Sequence, residues 1–308
     1  MYDTVNFWID RVNISGGDPF EVLPCLSEIT ERNSDKKGYS CTGKAGDYTV
    51  TVLEKGIFLQ GSLAKYFLPT NIHTLTRSAT QQAIEKLSDH LHTDINIAKI
   101  IRVDVSTIIP TKLPPANYYA YLGSKVHFNR KQLTNGTLYY NTCQKRLVFY
   151  DKADESSAKG TEIPAILAGS NLLRYELRFL NRINRQFKMD VTGKTLYDED
   201  FYYSIIKQWR NEFEKIQKLK SDNFMTDDIT TLKVAKEALF AHLLQKEGQS
   251  IIDEFLNELK AANKFNSRSD YTKLKADLNR LIVSKNGNKS ELIKELETAI
   301  YNASNYAR

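Results

Sequence analysis

Apolar and polar residues alternate over short stretches in the first two thirds of the chain, then recur at helical spacing in the last third. Residues 1–11 set Val5, Phe7 and Ile9 against Thr4, Asn6 and Trp8. That period of two marks a strand with one buried face. Residues 15–19 form a turn, and Asp18 with Pro19 fits the N-cap and first turn of a helix reaching about residue 31. The stretches 38–42, 47–54 and 56–62 predict a meander. Ala79, Ala83, Ile84, Leu87 and Leu91 predict a helix over 78–92. Strands are expected at 99–106, 145–152 and 171–179, with 137–141 forming a hairpin with the second. The Pro-rich stretch 110–115 and the polar stretch 153–169 are expected as loops. From about residue 195 the period changes. Phe201, Ile205, Ile206, Trp209, Phe213, Ile216 and Leu219 make one long stripe, and further helices fit 227–246, 250–263, 268–283 and 289–302. The pattern predicts an α+β fold: an antiparallel sheet with flanking helices over 1–195, then an all-helical domain over 196–308.

Three of these strands carry chemistry. Side chains alternate across a strand, so Arg102 and Asp104 share a face opposite Ile101, Val103 and Val105. Arg174, Glu176 and Arg178 share one opposite Leu173, Tyr175, Leu177 and Phe179, and Val148, Tyr150 and Lys152 share one opposite Leu147 and Phe149. As neighbours in one sheet, the three would gather two acids beside a phenol. A carboxylate flanked by valines needs a partner, because uncompensated burial costs several kcal/mol. A salt bridge to Arg102 or Arg174 would serve, and so would a metal. Mg²⁺ and Mn²⁺ prefer hard oxygen ligands, which makes Asp104 and Glu176 candidate metal ligands. Tyrosine ionises near pH ~10 and needs help to act as a nucleophile. Lys152, two positions after Tyr150, could stabilise the phenolate; Tyr139, Tyr140 and Tyr175 lack such a lysine. Arg102, Arg174, Arg178, Arg182 and Arg185 then form a basic strip suited to backbone phosphates. His90 and His92, a His-hydrophobic-His triplet, are candidate metal ligands, but they end a predicted helix, where residues two apart do not face each other, and ordinary helix-end histidines are the alternative reading. His73, in a loop, is a weaker ligand candidate.

The net charge of +6 allows a polyanionic partner, and 17 Tyr and 14 Phe could include stacking surfaces for single-stranded bases. Three widely spaced cysteines argue against a disulfide framework or a cysteine-based zinc site and fit a reducing cytoplasm. No apolar run approaches the ~20 residues of a membrane span. Gly-rich phosphate loops and a Gly-x-Ser-x-Gly elbow are missing, which removes support for nucleotide hydrolysis and serine-hydrolase chemistry.

Ile101-Arg-Val-Asp-Val105, Thr137-Leu-Tyr-Tyr140, Leu147-Val-Phe-Tyr-Asp-Lys152 and Leu172-Leu-Arg-Tyr-Glu-Leu-Arg178, with Gly61-Ser-Leu-Ala-Lys-Tyr66, occur in an order and spacing that resembles the rolling-circle replication initiators of phages and plasmids, specifically the gene II/gene X type. The resemblance spans roughly residues 1–195. It implies an enzyme that nicks one strand of origin DNA, stays joined to the 5′ phosphate through a tyrosine, and frees a 3′ hydroxyl as primer. It also implies that Tyr150 is the nucleophile and that Asp104 and Glu176 are the acidic strand positions. The wider nickase class usually holds its metal with two histidines on a strand, and this sequence offers no such pair. Origin DNA, single-stranded at the nick and duplex for recognition, is the expected partner. A host helicase and a second copy of the chain are further candidates. Plasmid-mobilisation relaxase and non-catalytic origin-binding regulator are the alternative functions.

Overall fold

The computed structural model describes residues 1–34, 38–68, 72–219, 231–247, 249–282 and 290–306. Its centre is one ten-stranded sheet. The strands are β1 (Tyr2–Asp10), β2 (Ser27–Ser34), β3 (Gly38–Ala45), β4 (Tyr48–Leu53), β5 (Gly56–Gln60), β6 (Lys99–Thr111), β7 (Asn129–Gln132), β8 (Leu138–Asn141), β9 (Lys145–Asp151) and β10 (Asn171–Phe179). Their order across the sheet is β2-β3-β4-β5-β1-β6-β10-β9-β8-β7, every neighbouring pair antiparallel. The helices are α1 (Leu63–Phe67), α2 (Arg77–Leu91), α3 (Ala116–Tyr119), α4 (Lys152–Ala158), α5 (Ile183–Phe187), α6 (Glu199–Glu214), α7 (Leu232–Glu247), α8 (Gln249–Ala261), α9 (Arg268–Ile282) and α10 (Glu291–Tyr306).

The sheet buries one face. On it Tyr175 stacks on Phe149, with ring centroids 4.6 Å apart, and α6 lays Trp209 against Tyr175 and Phe213 against both. The Tyr175 hydroxyl donates to the Trp209 carbonyl at 3.0 Å, which satisfies a buried phenol and fixes α6 across the strands. Leu87 and Leu91 of α2 and Ile293, Leu296 and Ile300 of α10 extend the same core. Asp198 caps α6, accepting from Phe201 N at 3.0 Å. A smaller core of Leu219, Ile252, Leu256 and Leu278 joins α8 and α9.

Two expectations are corrected. The helix expected up to residue 31 stops at Cys25 as a short 3₁₀ turn, and Ser27–Ser34 instead pairs with β3 as an edge strand. Pro24 interrupts the helical hydrogen bonding, and the stretch beyond it has no apolar stripe to hold a helix on the core. All eight residues of β2 are exposed, with an irregularity between Ser27 and Thr30 where Glu28 takes a φ of 54°. The loop expected over 153–169 begins as α4, because the Asp151 side chain caps it by accepting from Ala153 N at 2.8 Å and Asp154 N at 3.2 Å. The breaks expected at Gly248 and at 286–288 lie outside the described residues, as do positions 227–230 of one expected helix. Among the described residues, no helix is long and apolar enough to cross a membrane.

Candidate active site

The other face of the sheet is polar where β6, β10 and β9 meet. Their register places Arg178 between Asp104 and Arg146, Glu176 between Ser106 and Val148, and Arg174 between Ile108 and Tyr150. Cross-strand partners share a face, so the three motif strands are neighbours, and their acids, arginines and tyrosine converge as the alternation predicts.

What converges is an ion-pair network of three carboxylates and three guanidinium groups. Arg102 grips Asp104 with Nε at 2.9 Å and Nη2 at 2.5 Å. Arg178 donates to Glu176 Oε2 from Nε at 2.8 Å and lies 3.7 Å from Asp104. Arg174 donates from Nε to Glu176 Oε1 at 3.0 Å and from Nη2 to Asp3 Oδ2 at 2.7 Å and Ser106 Oγ at 2.8 Å. The Tyr150 hydroxyl donates to the same Glu176 Oε1 at 2.8 Å.

Burial differs along the network and divides its labour. The Arg174 side chain is 0% exposed, while Arg102 and Arg178 keep 26% and 22% of theirs in solvent. Arg174 is therefore held inside the network, away from the solvent-facing surface. Arg102 and Arg178 retain the reach. Arg182 and Arg185 are exposed on the segment leaving β10.

Electrostatics follow from burial and pairing. Burial pushes the Asp104 carboxyl up to about 6, against the pull of Arg102 and Arg178. Burial would also raise Glu176, but Arg174 and Arg178 outweigh it and hold this carboxyl below its ordinary range. The Tyr150 phenol is pushed well up by burial, with Arg174 working in the opposite direction and Glu176 adding to the rise. Lys152 opens α4, and its Nζ pairs with Glu155 at 2.5 Å. Burial lowers its pKa and Glu155 opposes that fall. Arg174 Nε is bound to the same Glu176 oxygen as the phenol.

As paired, Asp104 and Glu176 do not fit a divalent cation. Mg²⁺ asks for about six hard oxygens, while both oxygens of each carboxylate already accept from arginine or tyrosine. Among the described residues, no group of three or more His, Cys, Asp or Glu side chains could hold a metal ion. His90 is engaged elsewhere, its Nδ1 3.1 Å from the Tyr66 hydroxyl.

Residues 1–212 match the family model for the N-terminal part of a phage replication-associated protein, the gene II product. The chain belongs to this family. The matched region runs from β1 through most of α6 and so contains the whole polar network and the helix that backs it. No match was found among curated proteins.

Asp3 and Ser106 are the site residues that the sequence reading missed. Ser106 lies two positions after Asp104, on the same face, and that spacing could have flagged it. Asp3 could not be found by parity. Counting by twos puts it with Val5, Phe7 and Ile9, but the register of β1 against β6 shifts between Tyr2 and Val5. That irregularity turns Asp3 onto the polar face, where Arg174 meets it. A second shift, between Asn6 and Phe7, leaves Ile101 40% exposed and gives its expected core place to Ile100.

Proposed function

We propose that this member of a phage replication-associated family initiates rolling-circle replication by nicking one strand of origin DNA. The observation that carries the reading is the Tyr150–Glu176 hydrogen bond on the polar sheet face, flanked by the solvent-reaching guanidinium groups of Arg102 and Arg178. The Tyr150 oxygen attacks a phosphodiester phosphorus. An O–P bond forms to tyrosine and the bond from phosphorus to the 3′ oxygen breaks. The phenol proton leaves and the 3′ oxygen gains one, so charge and atoms balance. Arg102 and Arg178 hold the phosphate and offset charge building on its oxygens. The phosphotyrosyl link conserves the energy of the cleaved bond, so strand rejoining needs no nucleotide, consistent with a chain lacking a nucleotide-binding loop. Assistance by Mg²⁺ or Mn²⁺ through Asp104 and Glu176 is not carried into this reading, because the guanidinium groups of Arg102, Arg174 and Arg178 already neutralise the two carboxylates.

Incubation with single-stranded origin DNA in Mn²⁺ buffer, followed by a denaturing gel, tests it. Wild type should give a protein–DNA adduct, and Tyr150→Phe should bind the DNA yet give none. An adduct from Tyr150→Phe would move the nucleophile to another tyrosine. No adduct from wild type, with selective duplex-origin binding intact, would favour the non-catalytic regulator.

A further inference from the structure

The hydrogen bonds around Tyr150 continue past Glu176 into the first strand of the chain. Tyr150 donates to Glu176 Oε1, Arg174 Nε donates to the same oxygen, and Arg174 Nη2 donates to Asp3 Oδ2 at 2.7 Å. Asp3 is held in turn: the Ser62 hydroxyl donates to its Oδ1 at 2.7 Å while accepting from Lys65 N at 3.2 Å at the start of α1. Asp3 is 6% exposed and Arg174 is fully buried. A carboxylate in such a place carries a desolvation cost of several kcal/mol per ion unless its geometry is good. An apolar residue there would avoid that cost, so the charge itself calls for an explanation.

We propose that Asp3 is a positioning residue for Tyr150, anchoring Arg174 so that the guanidinium stays aimed at the oxygen that receives the phenol. The proposal rests on the reading of Tyr150 as nucleophile. Arg174 is bonded at both ends of its fork, to Glu176 through Nε and to Asp3 and Ser106 through Nη2. It therefore cannot rotate toward solvent when DNA arrives, and it remains beside the phenolate as that charge forms. A planar fork fixed at two points suits this task in a way a lysine would not. Asp3 acts through Arg174 and does not touch the reacting atoms.

The charges around each group set the direction of the effect. Tyr150 is faced by Arg174, Glu176 and Arg178 of β10 and by Glu155 of α4. Asp3 is faced by Arg174, by the Met1 ammonium, by Lys152 and by the Tyr48 phenol. Asp3→Asn keeps the shape of the side chain but removes the negative charge that anchors Arg174 Nη2, so the guanidinium is held less firmly beside the oxygen that accepts from the phenol. Charge removal alone would ease phenolate formation and raise the rate, so a fall in rate reports the lost anchor.

The test is the single-turnover rate of adduct formation with single-stranded origin DNA for the whole chain, measured beside DNA affinity and melting temperature. Asp3→Asn should form adduct about tenfold more slowly while binding the DNA as wild type does, and Asp3→Glu, which keeps the charge, should restore the rate. A rate in Asp3→Asn at or above that of wild type overturns the proposal, and so does a slow rate that Asp3→Glu leaves unrestored. If Asp3→Asn does not fold, Asp3→Ser is used, with the same expected fall and the same refuting results. Tyr150→Phe in the same assay separates the two failures. Adduct from that variant overturns the nucleophile reading. No adduct from it, combined with an undiminished rate in Asp3→Asn, overturns the positioning role alone.

Discussion

Replacing Arg174 with methionine should cost the fold about 4 kcal/mol at about pH 7. Methionine fills much of the arginine stem but leaves two carboxylates behind. Asp3 and Glu176 keep only 9% and 4% of their side chains in solvent. One-sided removal of a buried ion-pair partner costs about 3–5 kcal/mol, because the surviving charge stays desolvated. Arg178 still pairs with Glu176 and Ser62 still donates to Asp3, so the loss should not double although two acids are stranded. Against a typical total of about 5–15 kcal/mol this is a large fraction. The pH dependence has a definite sign. Burial without a cation raises the pKa of a carboxylate. The native variant then binds protons more tightly than its unfolded chain, and its stability rises as pH falls. In wild type the depressed Glu176 contributes stability above its unfolded value that is lost as pH falls. The gap between the two proteins should therefore narrow between about pH 7 and about pH 5. Urea unfolding followed by circular dichroism at both values measures it. A loss under about 1 kcal/mol, or an equal loss at both pH values, would refute the account. An arginine serving only as a surface phosphate contact would show a near-neutral stability change and a shallower salt dependence of DNA binding.

Two further outcomes follow. Asp104, raised to about 6 by burial, favours its protonated native form, so wild type should lose about 3 kcal/mol from this group as pH rises from about 4 to about 6, and Asp104→Asn should lack that slope in urea titrations across the window. A chain ending at residue 195 loses α6, and with it the Trp209 and Phe213 cover over Tyr175 and Phe149. Large buried aromatics are worth about 3–5 kcal/mol each, so that chain should show no cooperative unfolding transition, and a normal one would refute the dependence of the sheet on α6.

The alternation in three short strands was enough to bring Asp104, Glu176 and Tyr150 to one face, because a period of two admits one arrangement once a buried side is chosen. The sequence could not show what each charge pairs with. Arg174 and Arg178 have the same strand parity and near-identical settings in the sequence, yet one is fully buried and the other reaches solvent. The difference arises from Asp3, which a strand irregularity carries onto the polar face, and from α4, whose first residue is Lys152. Both are local departures from regular alternation. β2 has a different cause: Asp18 and Pro19 do open a helical turn, but Pro24 interrupts it and the stretch beyond pairs with β3. The helices after residue 195 were readable from their stripes, but a stripe does not say what it covers, and α6 and α10 turn out to share the core of the sheet.

The two ends of the sheet meet the surrounding solution differently. At one end α8 lies against β7, and Asp253 reaches to 3.6 Å from Arg130. At the other, β2 offers a bare row of backbone donors and acceptors along exposed residues, the kind of template on which a second molecule could add a strand. Its defences lie in the sequence of that one strand: Glu28, Glu31 and Arg32 supply charge, and the left-handed conformation at Glu28 coincides with the break in its regular ladder. The segment contributes no buried residue to the core. Changes there that flatten or discharge the strand would leave the fold intact while opening a route to linear polymers.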